Sequence, residues 1–169
     1  MFFNSRFQKG KAPQGIVVTV LSREKMTEMA MCLPKRSCVI SINTPGAEHL
    51  PIPAKTLYLD FPDTESDAGM TESDAVKVAA FVERNVEDGN NHIYVHCDQG
   101  VSRSAGTAAA ILRAYGQDES QILDCNEYCI NGRCYEFVLS AFHVFVTDDE
   151  VSMAKQRSKS AYMRSWPML

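Results

Sequence analysis

The sequence predicts an α/β domain with a central, mostly parallel sheet of about four to five strands and helices on both faces. Short β-branched or alternating runs that are typical of strands occur four times along the chain. Stretches with apolar residues at helical spacing separate them. This alternation favours parallel pairing, because each helix returns the chain to the same end of the sheet.

Size and composition limit the class of protein. The 169 residues are enough for one domain with a sizeable core and few for two, and 45% hydrophobic with 22% charged residues is typical of a soluble globular chain. The net charge of -4 argues against nucleic-acid binding through a general basic surface but allows a local positive pocket. No stretch approaches ~18 apolar residues, and the six cysteines lack a regular disulfide spacing. We therefore expect a cytoplasmic monomer without membrane insertion.

Three segments are expected along the chain. Residues 1–14 contain polar and breaker residues and are expected to be loosely ordered. Residues 15–146 are expected to form the single domain. Residues 147–169 begin acidic and end basic, which suits a helix dipole, so either a helix or a tail is expected there.

The first half of the chain contains three predicted strands and two predicted helices. The strands are predicted at 15–21, 37–42 and 57–61. Ser22 and Thr71 are typical N-cap residues, and they predict helices that reach Met31 and about Asp88. The breaker-rich stretch 43–53 and the acidic stretch 63–70 are predicted loops.

The second half begins with a predicted strand at 92–96 and a small-residue helix at 104–115, which Gly116 ends. A further helix is predicted from Asp118 or Ser120 to about Cys129, with Gly132 as its stop, and another at 133–146. On the first of these, Cys125 and Cys129 would share one face. Ordinary packing is favoured over zinc binding for that pair, because the spacing does not match the usual zinc-binding motifs.

A tight loop joins the strand at 92–96 to the helix at 104–115, and it opens with Cys97 and closes with Arg103. A loop that ends as a helix N-terminus presents unpaired N–H groups and the positive end of the helix dipole. That arrangement favours a bound tetrahedral oxyanion and a cysteine held as thiolate. Cys97 is therefore the candidate nucleophile, and Arg103 is the candidate for paired, charge-assisted hydrogen bonds to a phosphate group.

The other residues of this segment have supporting roles in the hypothesis. Gly100 accepts a positive φ where the amides converge, and Ser102 or Ser104 could donate a hydrogen bond to the sulfur. His96 is expected to order the loop through backbone hydrogen bonds rather than to accept the proton. The residues expected to bind the substrate are Asp98, Gln99, Gly100, Val101, Ser102 and Arg103.

The pattern His96-Cys97-x-x-Gly100-x-x-Arg103-Ser104 resembles the signature of the cysteine-dependent protein tyrosine phosphatase superfamily, and most of all its compact dual-specificity branch. The helix after the loop and the later Tyr128-x-x-Asn131-x-x-x-Tyr135 are also similar to patterns of that superfamily. The resemblance covers about residues 55–145. It implies hydrolysis of phosphate monoesters in two steps through a phosphocysteine, without metal or cofactor. Low-molecular-weight tyrosine phosphatases and rhodanese-type sulfurtransferases fit the position and spacing of the loop less well.

The resemblance also implies an aspartate upstream of Cys97 as proton donor, for which Asp60, Asp63 and Asp67 are candidates. In the dual-specificity branch that the loop resembles, the acid typically follows the last inward apolar residue of the preceding strand by two positions. Phe61 is interpreted as that residue, so the resemblance favours Asp63. Asp60 is expected to point away from the core, because alternate residues of a strand face opposite sides. The choice among the three stays open at this point.

The expected function is that of a phosphoprotein phosphatase, specific for tyrosine or of dual specificity, with a phosphorylated protein or peptide as partner. Two alternatives remain: a non-protein substrate, such as a phosphoinositide, a nucleotide or an RNA 5′-triphosphate, and a non-catalytic phosphate-binding scaffold. The loop contains acidic Asp98 and no lysine, which argues against highly charged substrates.

Overall fold

The structure is a computed structural model that describes residues 15–166, so the predicted N-terminal segment 1–14 lies outside the described residues. A short 3₁₀ turn at Ala30–Cys32 follows the first helix. The other elements are β1 Val17–Ser22, α1 Arg23–Met29, β2 Ser37–Asn43, β3 Lys55–Asp60, α2 Glu72–Glu87, β4 His92–Cys97, α3 Arg103–Ala114, α4 Ser120–Leu123, α5 Gly132–Ala141 and α6 Asp148–Met163.

The sheet has four strands in the order β1-β4-β2-β3, and every neighbouring pair is parallel. The predicted α/β class with a mostly parallel sheet is confirmed. Strand β4 lies between β1 and β2, so its end at Cys97 falls at the middle of the carboxyl edge of the sheet. Functional loops of parallel sheets lie at this edge.

The two faces of the sheet are covered unequally. One face packs with α2, α3 and α5 in the main core, where the residues of α3 from Ala105 to Leu112 are buried. The other face carries α1 and a smaller cluster that includes Met26, Val39 and Tyr94. Small residues let α3 approach its neighbours closely: a Cβ on Gly106 would lie 2.4 Å from the carbonyl oxygen of Asn131. This contact sets the position of the chain just before α5.

Two predictions for the second half are wrong. Helix α4 ends at Leu123, so Cys125 and Cys129 lie in irregular chain and do not share a helix face. Gly132 is the first residue of α5 rather than a stop, because the side chain of Asn131 accepts the Cys134 N–H at 3.0 Å and caps a new helix there.

The last two helices begin or end at other residues than the sequence predicts. Helix α5 ends at Ala141 instead of continuing to 146, and His143 has a left-handed φ of 60° that turns the chain. Helix α6 then begins with a capping box between Thr147 and Glu150. An ion pair of 2.8 Å between Arg113 and Glu150 joins α6 to α3. Within residues 15–166, no helix combines the length and the apolar character needed to cross a membrane.

Candidate active site

The segment from Cys97 to Arg103, called the signature loop below, turns its carbonyl groups away from its centre. Three of its carbonyl oxygens accept hydrogen bonds from amides of neighbouring segments: Asp98 from Arg23 (3.0 Å), Val101 from Cys129 (3.0 Å) and Ser102 from Asn131 (3.1 Å). Contacts on three sides therefore hold the loop from outside.

The amide groups of the signature loop remain available. Among residues 15–166, the N–H groups of Asp98, Gln99, Val101 and Ser102 donate to no other protein group, and the Gly100 N–H donates to Cys97 Sγ at 3.3 Å. No side chain caps the N-terminus of α3. Unpaired amides at a helix N-terminus favour an anion.

The thiol of Cys97 lies at the base of this loop and is 2% exposed. Its Sγ is 3.1 Å from Ser104 Oγ, so the hydroxyl can donate to a thiolate. Ser102 points elsewhere and donates to Asp63 at 3.0 Å. Of the two serines proposed as donors to the sulfur, Ser104 makes the contact.

Gly100 has a φ of +70°, as the expected convergence of amides requires. A Cβ at this position would lie 2.5 Å from the backbone nitrogen of Ser22 and 2.6 Å from the carbonyl carbon of Leu21. The loop therefore packs directly on the junction of β1 and α1, where only glycine fits.

The guanidinium of Arg103 is buried and held from two directions, with 4% of the residue exposed. Nη1 donates to the Phe61 carbonyl at 2.8 Å, and Nη2 donates to the Asp98 carboxylate at 2.7 Å. Nε is buried and has no hydrogen-bond partner among the described residues. A buried guanidinium N–H without a partner is costly, so this N–H is available to a bound acceptor.

Asp98 holds Arg103 and is itself held by Thr44, whose hydroxyl donates to Asp98 Oδ2 at 2.5 Å. Burial works to raise the pKa of Asp98, but the hydrogen bonds from Thr44 and Arg103 hold that pKa below its ordinary value. The carboxylate is therefore charged at neutral pH. Gln99 and Val101, the remaining expected substrate-binding residues, line a groove beside α1.

The three candidate proton donors have different surroundings. Asp63 Oδ1 accepts hydrogen bonds from Ser102 Oγ at 3.0 Å and from Asn131 Nδ2 at 2.9 Å, so it is attached to the signature loop. Asp60 faces outward, as expected, and pairs with His49 at 2.8 Å. Asp67 pairs with Arg133 at 3.2 Å and is fully exposed. Of the three carboxylates, Asp63 is the one bonded to the loop.

His96 is fully buried, and neither ring nitrogen has a hydrogen-bond partner among the described residues. The backbone hydrogen bonds that we expected of this ring are therefore not formed there. Burial lowers the pKa of His96 to about 4. A backbone group of Cys97 partly opposes this lowering of the pKa, although it forms no hydrogen bond with the ring. The ring is neutral at pH 7 and fills space below the loop.

Several contacts that hold the segment 63–70, called the acid loop below, were not predicted from the sequence. Asn131 bonds Asp63, Glu65 accepts the Gly132 N–H at 2.7 Å, and Arg133 Nε donates to the Met70 carbonyl at 2.8 Å. The one sequence feature that pointed to this region was the Tyr128-x-x-Asn131 pattern. It indicated a similarity to the phosphatase superfamily, but it did not predict a contact with the acid loop. Among residues 15–166, no group of three or more His, Cys, Asp or Glu side chains is placed to hold a metal.

No family model and no curated protein matches the chain. Solved structures do match over most of its length. PTPMT1 in complex with PI(5)P is 17% identical, with 89% of this chain and 95% of that chain covered and a TM-score of 0.44. Tk-PTP in the active form is 15% identical, with 94% of this chain and 99% of that chain covered and a TM-score of 0.46. Human DUSP28 is 16% identical, with 92% of this chain and 97% of that chain covered and a TM-score of 0.46.

Proposed function

We propose that the chain is a phosphatase that hydrolyses phosphate monoesters of proteins, with phosphotyrosine as its substrate and phosphoserine or phosphothreonine where specificity is dual. One observation carries the proposal. The Cys97 thiol lies in a loop of unpaired amides, and the same loop holds Arg103 with a buried Nε that lacks a partner. A tetrahedral dianion complements all of these groups.

In the first step, the Cys97 thiolate attacks phosphorus and the bond from phosphorus to the ester oxygen breaks. Arg103 and the loop amides stabilise the charge on the three equatorial oxygens. Asp63 gives its proton to the departing oxygen, so the leaving group departs as a neutral alcohol or phenol. The product is a phosphocysteine on Cys97.

In the second step, a water molecule attacks the phosphocysteine while the Asp63 carboxylate takes a proton from it. The bond from sulfur to phosphorus breaks, and the electron pair returns to Cys97 as a thiolate. The Ser104 hydroxyl, 3.1 Å from Sγ, stabilises that thiolate as the leaving group. Inorganic phosphate leaves and Asp63 is again protonated.

The charges around the loop support a substrate with one phosphate at the reacting position. The Asp98 carboxylate is ion-paired with Arg103 beside the anion site, and the loop contains no lysine. Adjacent phosphates of a triphosphate or a bisphosphorylated inositol would be repelled by that carboxylate. A phosphoinositide remains in the test below, because PTPMT1 was solved with PI(5)P.

Phosphate release from a panel of phosphotyrosine, phosphoserine and phosphothreonine peptides, inositol phosphates and triphosphorylated RNA tests the proposal. We expect hydrolysis of the phosphopeptides, and preference for either of the other classes would contradict it. Cys97→Ser should lose all turnover yet still bind the phosphopeptides, whereas Cys32→Ser, at an exposed cysteine, should retain activity. Binding without turnover by the unaltered protein would instead favour the scaffold alternative.

A further inference from the structure

A groove of about 620 Å³ extends from the candidate active site along helix α6, and the hydrolysis mechanism does not use it. Its near end contains Asp63 and Ser102, which belong to the acid loop and the signature loop. Its far wall is the face of α6 that carries Ser152, Lys155 and Lys159. A substrate segment that leaves the reacting phosphate on this side has to run along α6.

The charges at the near end of the groove are largely compensated. Glu65 accepts a hydrogen bond from the Gly132 N–H and pairs with the ammonium group of Lys155. Lys155 also packs against Gly132, because a Cβ on that glycine would lie 2.4 Å from its Cδ. The proposed mechanism uses Asp63 as the proton donor of its first step. Lys155 is therefore a part of the groove wall whose charge is already paired with Glu65.

Lys159 is different from the other cations of α6. Its side chain is exposed and forms no hydrogen bond or ion pair within the part of the chain that the structure describes, whereas Arg157 pairs with Asp124 at 2.5 Å. Lys159 lies one helical turn beyond Lys155 on the same face. Its positive charge is therefore uncompensated in the wall of the groove.

We propose that this groove is a substrate subsite in which Lys159 binds an acidic side chain of the phosphopeptide; the inference rests on the proposed phosphatase function. The helix rises about 10 Å from Ser152 to Lys159. An extended peptide covers that length with about three residues. The test below therefore places the acidic residue two or three positions from the phosphorylated residue.

A second groove lies beside the signature loop, and its lysine, unlike Lys159, is paired with a carboxylate. It has a volume of about 490 Å³ and is lined by Gln99 and Val101 together with residues of α1. Its lysine, Lys25, is paired with Glu28 at 2.9 Å. Because that cation is compensated, the acidic preference is expected on the α6 side of the phosphorylated residue alone.

The test compares phosphopeptides that carry Asp or Ala at the second or third position on either side of the phosphorylated residue. The proteins are the unaltered chain, Lys159→Glu and the control Lys35→Glu. Lys35 is exposed and precedes β2, at the edge of the sheet opposite Cys97, so the control makes the same charge change far from the groove. The readout is the ratio of KM values for the Ala and Asp peptides at low ionic strength.

We expect the unaltered protein to favour Asp by about three- to fivefold in KM, as for an exposed ion pair, on one side of the phosphorylated residue. Lys159→Glu should remove or invert this ratio, and Lys35→Glu should retain it. No preference in the unaltered protein, an unchanged ratio in Lys159→Glu or an equal loss in Lys35→Glu would overturn the inference.

A failure of the proposed function gives a different result. In that case no peptide or aryl phosphate is hydrolysed by the unaltered protein. The subsite is then tested by fluorescence titration of the same peptides against Cys97→Ser protein, with and without Lys159→Glu. A several-fold weaker binding of the Asp peptide in the double variant supports the subsite, and equal binding overturns it.

Discussion

Asn131 Nδ2 donates a hydrogen bond to Asp63 Oδ1 at 2.9 Å, while the Oδ1 of the same side chain caps α5 by accepting the Cys134 N–H at 3.0 Å. The backbone N–H of Asn131 donates to the Ser102 carbonyl as well. This buried residue therefore connects the acid loop, the signature loop and α5. The position of the proposed proton donor depends on the start of a helix 68 residues further along the chain.

Asn131→Asp should separate the two roles of that side chain. Aspartate retains an oxygen that caps α5, but it cannot donate to Asp63 and repels its carboxylate. We expect kcat to fall about tenfold, which corresponds to the loss of about 1.4 kcal/mol from one hydrogen bond. Steady-state kinetics and a urea titration measure the two effects, and an unchanged kcat would contradict the role of Asn131 in positioning Asp63.

Asp63→Asn tests the proton donor itself. Its amide cannot supply a proton, so kcat for an aryl phosphate should fall by about 10²- to 10⁴-fold, and the decline of rate at high pH should flatten. Asp60→Asn and Asp67→Asn are matched controls, because these carboxylates pair with His49 and Arg133 away from the loop. A larger loss in either control than in Asp63→Asn would reassign the acid.

Ser104→Ala should slow the second chemical step more than the first. In the proposed mechanism, the hydroxyl 3.1 Å from Cys97 Sγ stabilises the thiolate when the phosphocysteine is hydrolysed. Loss of one such donor costs about 10²-fold in rate. Rapid-quench kinetics should therefore show a burst of alcohol or phenol that is stoichiometric with enzyme, followed by slow turnover, and a slow linear release without a burst would contradict this role.

Gly100→Ala and Gly116→Ala form a matched pair for the packing of the loop. Both glycines have positive φ, at 70° and 68°, but a Cβ at 100 would lie 2.5 Å from Ser22 N and one at 116 would meet nothing within 4 Å. Gly116→Ala should therefore cost about 1 kcal/mol of unfolding free energy, from left-handed strain alone. Gly100→Ala should cost more and should also abolish anion binding. Equal losses in a denaturant titration would contradict the close packing on β1.

His96 should make the folded state sensitive to acid. Burial lowers its pKa from 6.5 to about 4, so between these values the unfolded chain binds a proton that the folded protein does not. Stability from this residue is complete above pH 6.5 and decreases as the pH falls, by about 2 kcal/mol from pH 7 to pH 5. Urea titrations at both pH values should show a smaller decrease for His96→Gln than for the unaltered protein, and an equal decrease would contradict this role of His96.

Much of the fold follows from local patterns. The β-branched runs predict each of the four strands to within two or three residues at each end, and Ser22 and Thr71 cap the helices for which they were proposed. These features depend on neighbours in sequence, which is why they can be predicted. The exceptions lie after Gly116, where α4 ends early at Leu123 and the cap of Asn131 begins α5 at the expected stop.

The sequence by itself determined which residues make up the signature loop, since Cys97, Gly100 and Arg103 are close along the chain and the strand and helix around them are strongly patterned. Only the tertiary structure decided which aspartate approaches that loop. Asp60, Asp63 and Asp67 lie within eight positions, and hydrogen bonds from Ser102 and Asn131 select Asp63. The hydrogen bond from Arg103 to the Phe61 carbonyl and the groove along α6 likewise arise from contacts between segments, which no local pattern encodes.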